Sequence, residues 1–209
     1  MPQTSNKDKE RPTKQDVRAM PLFEGLTLDN IVIVEDSPSL ARAQSALSGH
    51  TILGFDTESK PTFKPGQRSL GPHLIQFATE DQAVLIPIDY QDGVDYALSI
   101  IENSDVIKVG FGLSGDRQLF RKKFGVELAN SSDLCKKLKR EYRFSQPVGA
   151  QAAVALAFGQ RLSKASQRSN WSAWPLDENQ IRYAANDAYS ALAVHQKVFS
   201  RCLEIGDKD

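Results

Sequence analysis

Cysteine is scarce in this sequence, and long apolar runs and an excess of charge of either sign are absent from it. Of its 209 residues only Cys135 and Cys202 are cysteines, and they form no Cys-x-x-Cys pair, so neither a disulfide framework nor a zinc site is expected. No apolar run approaches the ~18 residues of a membrane-spanning helix. Lysine and arginine number 26, as do aspartate and glutamate, so net charge does not indicate a polyanionic partner.

The start of the chain also lacks the apolar segment of a secretory signal, and its acids argue against a transit peptide. With so few cysteines, we predict a reducing compartment: the cytoplasm, or the nucleus in a eukaryote. Residues 1–20 are mostly charged and polar and offer little to bury, which predicts a disordered tail. Residues 21–205 have the length of one domain with a sizeable core.

What the sequence does contain is a succession of short apolar runs and helical periodicities. Strands are predicted over residues 31–34, 51–58, 74–79, 83–88 and 106–110. Helices are predicted over residues 38–49, 94–103, 114–124 and 177–201, with further helices between 133 and 174. Because only a short turn joins 74–79 to 83–88, those two strands must be antiparallel neighbours. This order of elements indicates an α/β fold, a mixed sheet flanked by helices.

The strand at 51–58 ends in two carboxylates, Asp56 and Glu58. Side chains two residues apart on a strand point to the same face, and two adjacent anions repel unless a cation lies between them. Oxygen ligands of this kind suit Mg²⁺ or Mn²⁺. An isolated Asp-x-Glu is also common where a strand runs into a polar turn, so the pair by itself leaves both interpretations open.

Two further segments carry acids on helices. Asp116 follows the strand at 106–110 across a glycine-rich turn, where ordinary helix capping is the alternative role. Those glycines do not fit the phosphate loop GxxxxGK[ST], nor a dinucleotide-binding motif in its usual context. Tyr183 and Asp187 are four residues apart on the last helix and therefore share a face. Alanines at 184, 185, 188 and 191 would let that helix approach the sheet closely.

Together these segments resemble the three motifs of the DEDD superfamily of 3′→5′ exonucleases, tyrosine subclass. The motifs are residues 55–58 followed by 74–78, residues 109–116, and residues 183–188. Residues 162–171, with Pro175 and Leu176 after them, also resemble ribonuclease-D-like and Werner-type exonuclease domains, and the likeness extends over residues 31–199. Phe111 and Asn170 depart from the usual pattern. The resemblance implies a ribonuclease-H-like fold, with residues 21–205 as a 3′→5′ exonuclease domain.

The resemblance also implies a site and a reaction. Asp56, Glu58, Asp116 and Asp187 would be catalytic and would hold two divalent cations, Mg²⁺ or Mn²⁺. Tyr183 would orient the attacking water or help to deprotonate it. The reaction would be hydrolysis of the terminal phosphodiester bond at the 3′ ends of single-stranded DNA or RNA, with release of nucleoside 5′-monophosphates.

Contacts to the substrate are expected from one polar, two basic and one aromatic residue: Thr57, Lys164, Arg168 and Trp171. Other basic and aromatic residues are weaker candidates, since exposed cations are usually solvated and buried rings usually belong to the core. They are Lys60, Lys64, Arg68, Phe77, Phe144 and the basic run at 136–140, with His73 as a further metal-binding candidate.

Two alternatives to the nuclease stay open. One is an exonuclease-like module that binds nucleic acid or a protein without cutting, and the other is a hydrolase of oligoribonucleotides only a few units long. The choice between DNA and RNA and the oligomeric state also stay open, because the residues do not show contacts to a 2′-hydroxyl or to a second chain.

Overall fold

A six-stranded sheet with helices on its two faces makes up the residues 10–62 and 71–199 that this computed structural model describes. The strands are β1 (Ile31–Ile33), β2 (Ile52–Glu58), β3 (Leu74–Ala78), β4 (Ala83–Pro87), β5 (Ile107–Gly110) and β6 (Ser131–Asp133). The α-helices are α1 (Lys14–Ala19), α2 (Ser37–Leu47), α3 (Gln91–Glu102), α4 (Ser114–Phe124), α5 (Leu134–Glu141), α6 (Ala150–Phe158) and α7 (Glu178–Phe199). Within the described ranges, no helix combines the length and apolarity needed to cross a bilayer.

The sheet is mixed, in the order β1-β4-β3-β2-β5-β6. β3 pairs antiparallel with both β2 and β4, and the other neighbouring pairs are parallel. The predicted α/β class and the antiparallel pair of consecutive strands are confirmed. β6 is not predicted, because its sequence Ser-Ser-Asp lacks apolar alternation. It pairs with β5 through backbone groups, which hydrogen bond whatever the side chain.

The two faces of β2 have different surroundings. Phe55 points into the core on one face, where its ring centroid lies 5.7 Å from that of Phe77 and 6.0 Å from that of Phe120. Gly54, one residue earlier, faces α7. Since side chains alternate along a strand, Asp56 and Glu58 lie on the same face as Gly54. The strand therefore has a packed side and a side that carries the carboxylates toward α7.

α7 packs on that second face through small residues. Ala184, Ala185 and Ala188 are fully buried, and a Cβ atom added at Gly54 would lie only 2.1 Å from the carbonyl oxygen of Ala188. Backbone approaches backbone at this point, so the clash has no flexible side chain to absorb it. The close approach predicted from the alanines is confirmed, and α7 agrees with the predicted helix as far as residue 199.

The predicted disordered tail is corrected in part. α1 begins at a capping box in which Thr13 and Asp16 exchange hydrogen bonds, and Val17 is buried. Arg161 then holds the following segment, donating its N–H to the Pro21 carbonyl at 2.8 Å and accepting from the N–H of Phe23 at 2.9 Å. The average composition of residues 1–20 does not reveal one local helix cap and one buried valine. The prediction of disorder is therefore wrong for α1. Residues 1–9 lie outside the described part, and the domain limits 21–205 stay a prediction.

Replacing Gly54 with alanine should push α7 away from β2. We expect Gly54→Ala to lower the free energy of unfolding by about 1–3 kcal/mol, the usual cost of overpacking, in urea denaturation. Gly115→Ala is the matched control, because a Cβ atom there meets nothing within 4 Å and alanine favours the helix. Equal stabilities of the two variants would contradict the backbone contact.

Candidate active site

Asp56 and Glu58 stand at the carboxyl end of β2, on the face that α7 covers. α7 brings Asp187 to the same place, since its neighbour Ala188 is the residue in contact with Gly54. One carboxylate oxygen from each of Asp56, Glu58 and Asp187 lies within 4.8 Å of the other two. Two elements far apart in the chain thus deliver three oxygen ligands to one point, as hard divalent cations require.

Asp116 lies beside this trio rather than in it. It sits in the first turn of α4, and its Oδ1 accepts a hydrogen bond of 2.6 Å from the Thr57 hydroxyl. Its negative charge is among those that raise the pKa values of Asp56 and Glu58. The structure therefore brings all four predicted carboxylates to one neighbourhood, with Thr57 as the link to Asp116.

Burial and mutual repulsion both oppose ionisation of the cluster. Desolvation raises the pKa of Asp56 well above its ordinary value, and the charges of Asp187, Asp116 and Glu58 raise it further. Burial, with Asp187 and Asp116, raises the pKa of Glu58 to about 9. Burial likewise raises the pKa of Asp187. A divalent cation among these oxygens would remove the repulsion, so the donor set fits a metal ion such as Mg²⁺ or Mn²⁺.

Tyr183 lies one helical turn before Asp187, and its hydroxyl is close enough for that carboxylate to act on the pKa of the phenol. Burial and the charges of Asp187 and Glu58 raise the pKa of Tyr183 far above its ordinary value. The phenol therefore stays protonated at neutral pH and acts as a hydrogen-bond donor. Its ring packs against Trp171, with 5.9 Å between centroids, which fixes where the hydroxyl points.

The four predicted substrate contacts differ in exposure and in their distance from the carboxylates. Lys164 is exposed, yet close enough for its charge to lower the pKa of Asp187 against the effect of burial. Arg168 is exposed too, and no contact between it and the carboxylates is present in residues 10–62 and 71–199. Trp171 is 3% exposed, and its ring packs against that of Tyr183. The Thr57 hydroxyl donates a hydrogen bond to Asp116, so a contact between Thr57 and substrate would have to coexist with that hydrogen bond.

The weaker candidates are mostly placed away from the cluster. Phe77 belongs to the core on the opposite face with no exposed surface, so its prediction as a stacking surface is wrong. Phe144 stacks on Tyr142 at 5.5 Å, and His73 accepts a hydrogen bond from the backbone of Lys60. Residues 136–140 lie in α5. Lys64 and Arg68 lie outside the described residues.

A cleft that the sequence does not predict lies beside the carboxylates. It has a volume of about 170 Å³ and is bordered by Tyr183 and Asp187, by the 162–166 loop, and by Leu22 and Phe23. Leu22 is 51% exposed, so the cleft presents apolar surface to solvent. No local signal could have found it, because the N-terminal segment reaches the cleft through contacts with residues distant in sequence, among them Arg161 and Asn186.

Comparison with known proteins assigns the chain to a family. A family model described as 3'-5' exonuclease matches residues 31–201. The chain belongs to the 3'-5' exonuclease family. Mouse (Mus musculus) bifunctional 3'-5' exonuclease/ATP-dependent helicase WRN is 31% identical over 155 residues, and the exonuclease mut-7 homolog of Aedes aegypti is 28% identical over 192 residues. The family resemblance predicted from the motifs is confirmed.

Coverage of these relatives is uneven. The matches take in 73% and 81% of this chain but only 11% of the mouse protein and 26% of the mosquito protein. The chain thus corresponds to one portion of each longer relative. The family assignment therefore applies to the matched portion alone.

Solved structures agree on the fold. The Nibbler EXO domain of Aedes aegypti has a TM-score of 0.74 and 26% identity, covering 87% of this chain and 92% of that one. Trypanosoma brucei RNase D, solved in a complex with RNA, has a TM-score of 0.71 at 18% identity, covering 93% of this chain and 66% of that one. This second likeness concerns the fold alone. The predicted ribonuclease-H-like architecture is confirmed.

Without divalent cations, the free energy of unfolding should fall as pH rises from about 5 to 9. The pKa of Glu58 is about 9 in the folded protein against an ordinary 4.5, so the folded state holds a proton that the unfolded state has released, and stability is lost across that window. Mg²⁺ should restore stability most at the alkaline end. Urea unfolding at three pH values, with EDTA or Mg²⁺, measures both effects.

Glu58→Gln serves as the control for that measurement. It cannot ionise, so its free energy of unfolding should depend less on pH in EDTA than that of the wild type. Identical pH slopes for the two proteins would contradict the electrostatic description of the cluster.

Proposed function

We propose that this chain is a metal-dependent 3′→5′ exonuclease that hydrolyses the terminal phosphodiester bond of single-stranded DNA or RNA and releases nucleoside 5′-monophosphates. The observation that carries the proposal is the convergence of Asp56, Glu58 and Asp187 within 4.8 Å, beside a protonated Tyr183, in a chain of the 3'-5' exonuclease family. The few cysteines further favour a reducing compartment, cytoplasm or nucleus.

Asp56, Glu58 and Asp187, with Asp116 at their side, are the residues that would hold two divalent cations, Mg²⁺ or Mn²⁺. When bound, such cations would supply charge stabilisation for the attacking and leaving oxygens of the phosphodiester. Four carboxylates also match the four positive charges of two such ions. Thr57 serves this arrangement by fixing Asp116 through its 2.6 Å hydrogen bond.

Tyr183 orients the attacking water. Because its pKa is raised far above neutrality, the phenol donates a hydrogen bond and does not take up the proton of the water. Its ring is held by Trp171 and its hydroxyl lies near Asp187, so the position of the donor is set before the substrate arrives. Tyr183 is therefore a positioning donor in this reaction.

Lys164 is the cation best placed to meet the phosphate backbone. Its charge acts on Asp187 while its side chain is exposed, so it can contact an incoming phosphate without being desolvated first. Arg168 lies four residues further along the same exposed loop and extends the proposed contact to the next phosphate. The cleft lined by Leu22 and Phe23 opens beside Asp187 and offers apolar surface to an unpaired base.

A catalytically silent binding module is the competing function. Such a module has no use for four partly buried, mutually repelling carboxylates, whose convergence costs stability without a cation. The complete carboxylate set argues for the nuclease. A hydrolase of very short oligoribonucleotides would use the same site, and the dependence of rate on substrate length separates it from a processing nuclease.

Removing one carboxylate tests the reaction directly. Asp56→Asn and Asp187→Asn should each reduce the release of mononucleotides by about 10³-fold or more, since metal ions contribute several kcal/mol to the transition state and about 1.4 kcal/mol is a tenfold change in rate. The assay uses 5′-labelled single-stranded DNA and RNA with Mg²⁺ or Mn²⁺, and with EDTA as a blank. Asp105→Asn, an exposed acid after α3, should retain full activity. Full activity in either site variant would refute the proposal.

Tyr183→Phe separates orientation from metal binding. The ring and its packing on Trp171 are kept while the hydroxyl is lost, so kcat should fall by about 10²-fold and Mn²⁺ affinity should stay unchanged. Single-turnover digestion gives the rate and calorimetry the affinity. An unchanged rate would show that the hydroxyl takes no part.

A further inference from the structure

Gln76, in the middle of β3, presents an unsatisfied amide inside the protein. Its side chain has no exposed surface, and neither its Nε2 nor its Oε1 has a hydrogen-bond partner in the described part of the chain. Leaving such a group buried and unpaired destabilises the folded protein. An apolar residue would fill a central strand without that cost, so the amide calls for a role other than packing.

The strand register places this amide beside the metal cluster. Gln76 is directly opposite Asp56 in the antiparallel β2–β3 pair, and such pairs share a face with Cβ atoms about 4.5–5.5 Å apart. On either side of Gln76, Leu74 and Ala78 pack with the alanines of α7. Gln76 therefore faces α7, as Asp56 does. A glutamine side chain is long enough to cover the separation between the two.

The Asp56 carboxylate is held at only one of its oxygens. Its Oδ1 accepts a 2.9 Å hydrogen bond from the Thr57 N–H, and residues 10–62 and 71–199 present no second hydrogen bond to this carboxylate. The terminal torsion of aspartate is broad, so one contact leaves the plane of the carboxylate loosely defined. Carboxylates that ligate metals are themselves commonly hydrogen bonded by residues behind them.

We propose that Gln76 is a positioning residue. Its amide Nε2, unpaired among the described residues, would reach the Asp56 carboxylate opposite it by rotation of the glutamine side chain, and would hold that carboxylate in the orientation that cation binding requires. The inference rests on the proposed function, because it takes Asp56 as a metal ligand. Glutamine suits the task because its amide is neutral. A lysine at this position would neutralise Asp56 and compete with the cation, whereas the amide fixes the carboxylate and leaves its charge available.

Gln76→Met tests this role, since methionine keeps the length of the side chain and removes the amide. The Mn²⁺ affinity of the full chain, measured by calorimetry with Mn²⁺ alone, should fall by about 10–100-fold. The kcat for single-stranded oligonucleotides should fall with it, while KM stays unchanged. The unfolding temperature in EDTA should stay the same or rise, because an unpaired buried amide is gone.

Leu74→Met is the matched control, on the same strand and face and equally buried, and it should bind Mn²⁺ like the wild type. Gln76→Leu provides a second apolar variant should Gln76→Met not fold. Wild-type Mn²⁺ affinity in a folded Gln76 variant overturns the inference. So does a lower unfolding temperature with unchanged affinity, which marks a purely structural residue, and so does a failure of both variants to fold.

Binding of Mn²⁺ is read without substrate, which separates the two proposals. If the wild type binds Mn²⁺ and Gln76→Met weakens that binding, the inference stands even where no nucleotide is released, and only the nuclease is refuted. A wild type that does not bind Mn²⁺ overturns both.

Discussion

The backbone contact between α7 and β2 is the constraint on which the site depends. Gly54 has no side chain to keep the helix away, and Ala188 presents its carbonyl group to it. Asp56 follows Gly54 on the same face of the strand, and Asp187 precedes Ala188 on the helix. The distance between carboxylates from the two elements is therefore set by how closely the two backbones pack. Any larger residue at this contact would separate the ligands.

That packing forces together groups that repel. Burial and neighbouring charges raise the pKa values of Asp56, Glu58 and Asp187, so the metal-free fold carries an electrostatic cost at its centre. Proteins commonly accept such a cost where function requires it. The core on the other face of β2 is apolar, with the ring of Phe55 packed against those of Phe77 and Phe120, and it supplies the rigidity that keeps the acids in place.

The residues around the carboxylates have supporting roles that their chemical type alone does not reveal. Trp171 holds the ring of Tyr183, Thr57 holds Asp116, and Gln76 faces Asp56 across the sheet. The tyrosine remains a donor because burial and anions keep it protonated. In the proposed exonuclease reaction, these side chains would supply orientation and the bound cations would supply charge stabilisation.

The sequence by itself determined the mixed α/β class and the helix that carries Tyr183 and Asp187, because strand alternation and helical spacing are local properties of the chain. The order of its motifs predicted the four acids of the candidate site. The sequence did not reveal α1, where one cap and one valine outweigh a polar composition, or β6, whose pairing uses backbone groups. It also placed Phe77 and Trp171 as substrate surfaces, although Phe77 lies in the core and Trp171 beneath Tyr183. Only the tertiary structure decided which face each ring occupies and how near Asp116 comes to the trio. It also decided that the Gln76 amide is buried with no hydrogen-bond partner among the described residues. These features depend on contacts between residues distant in sequence.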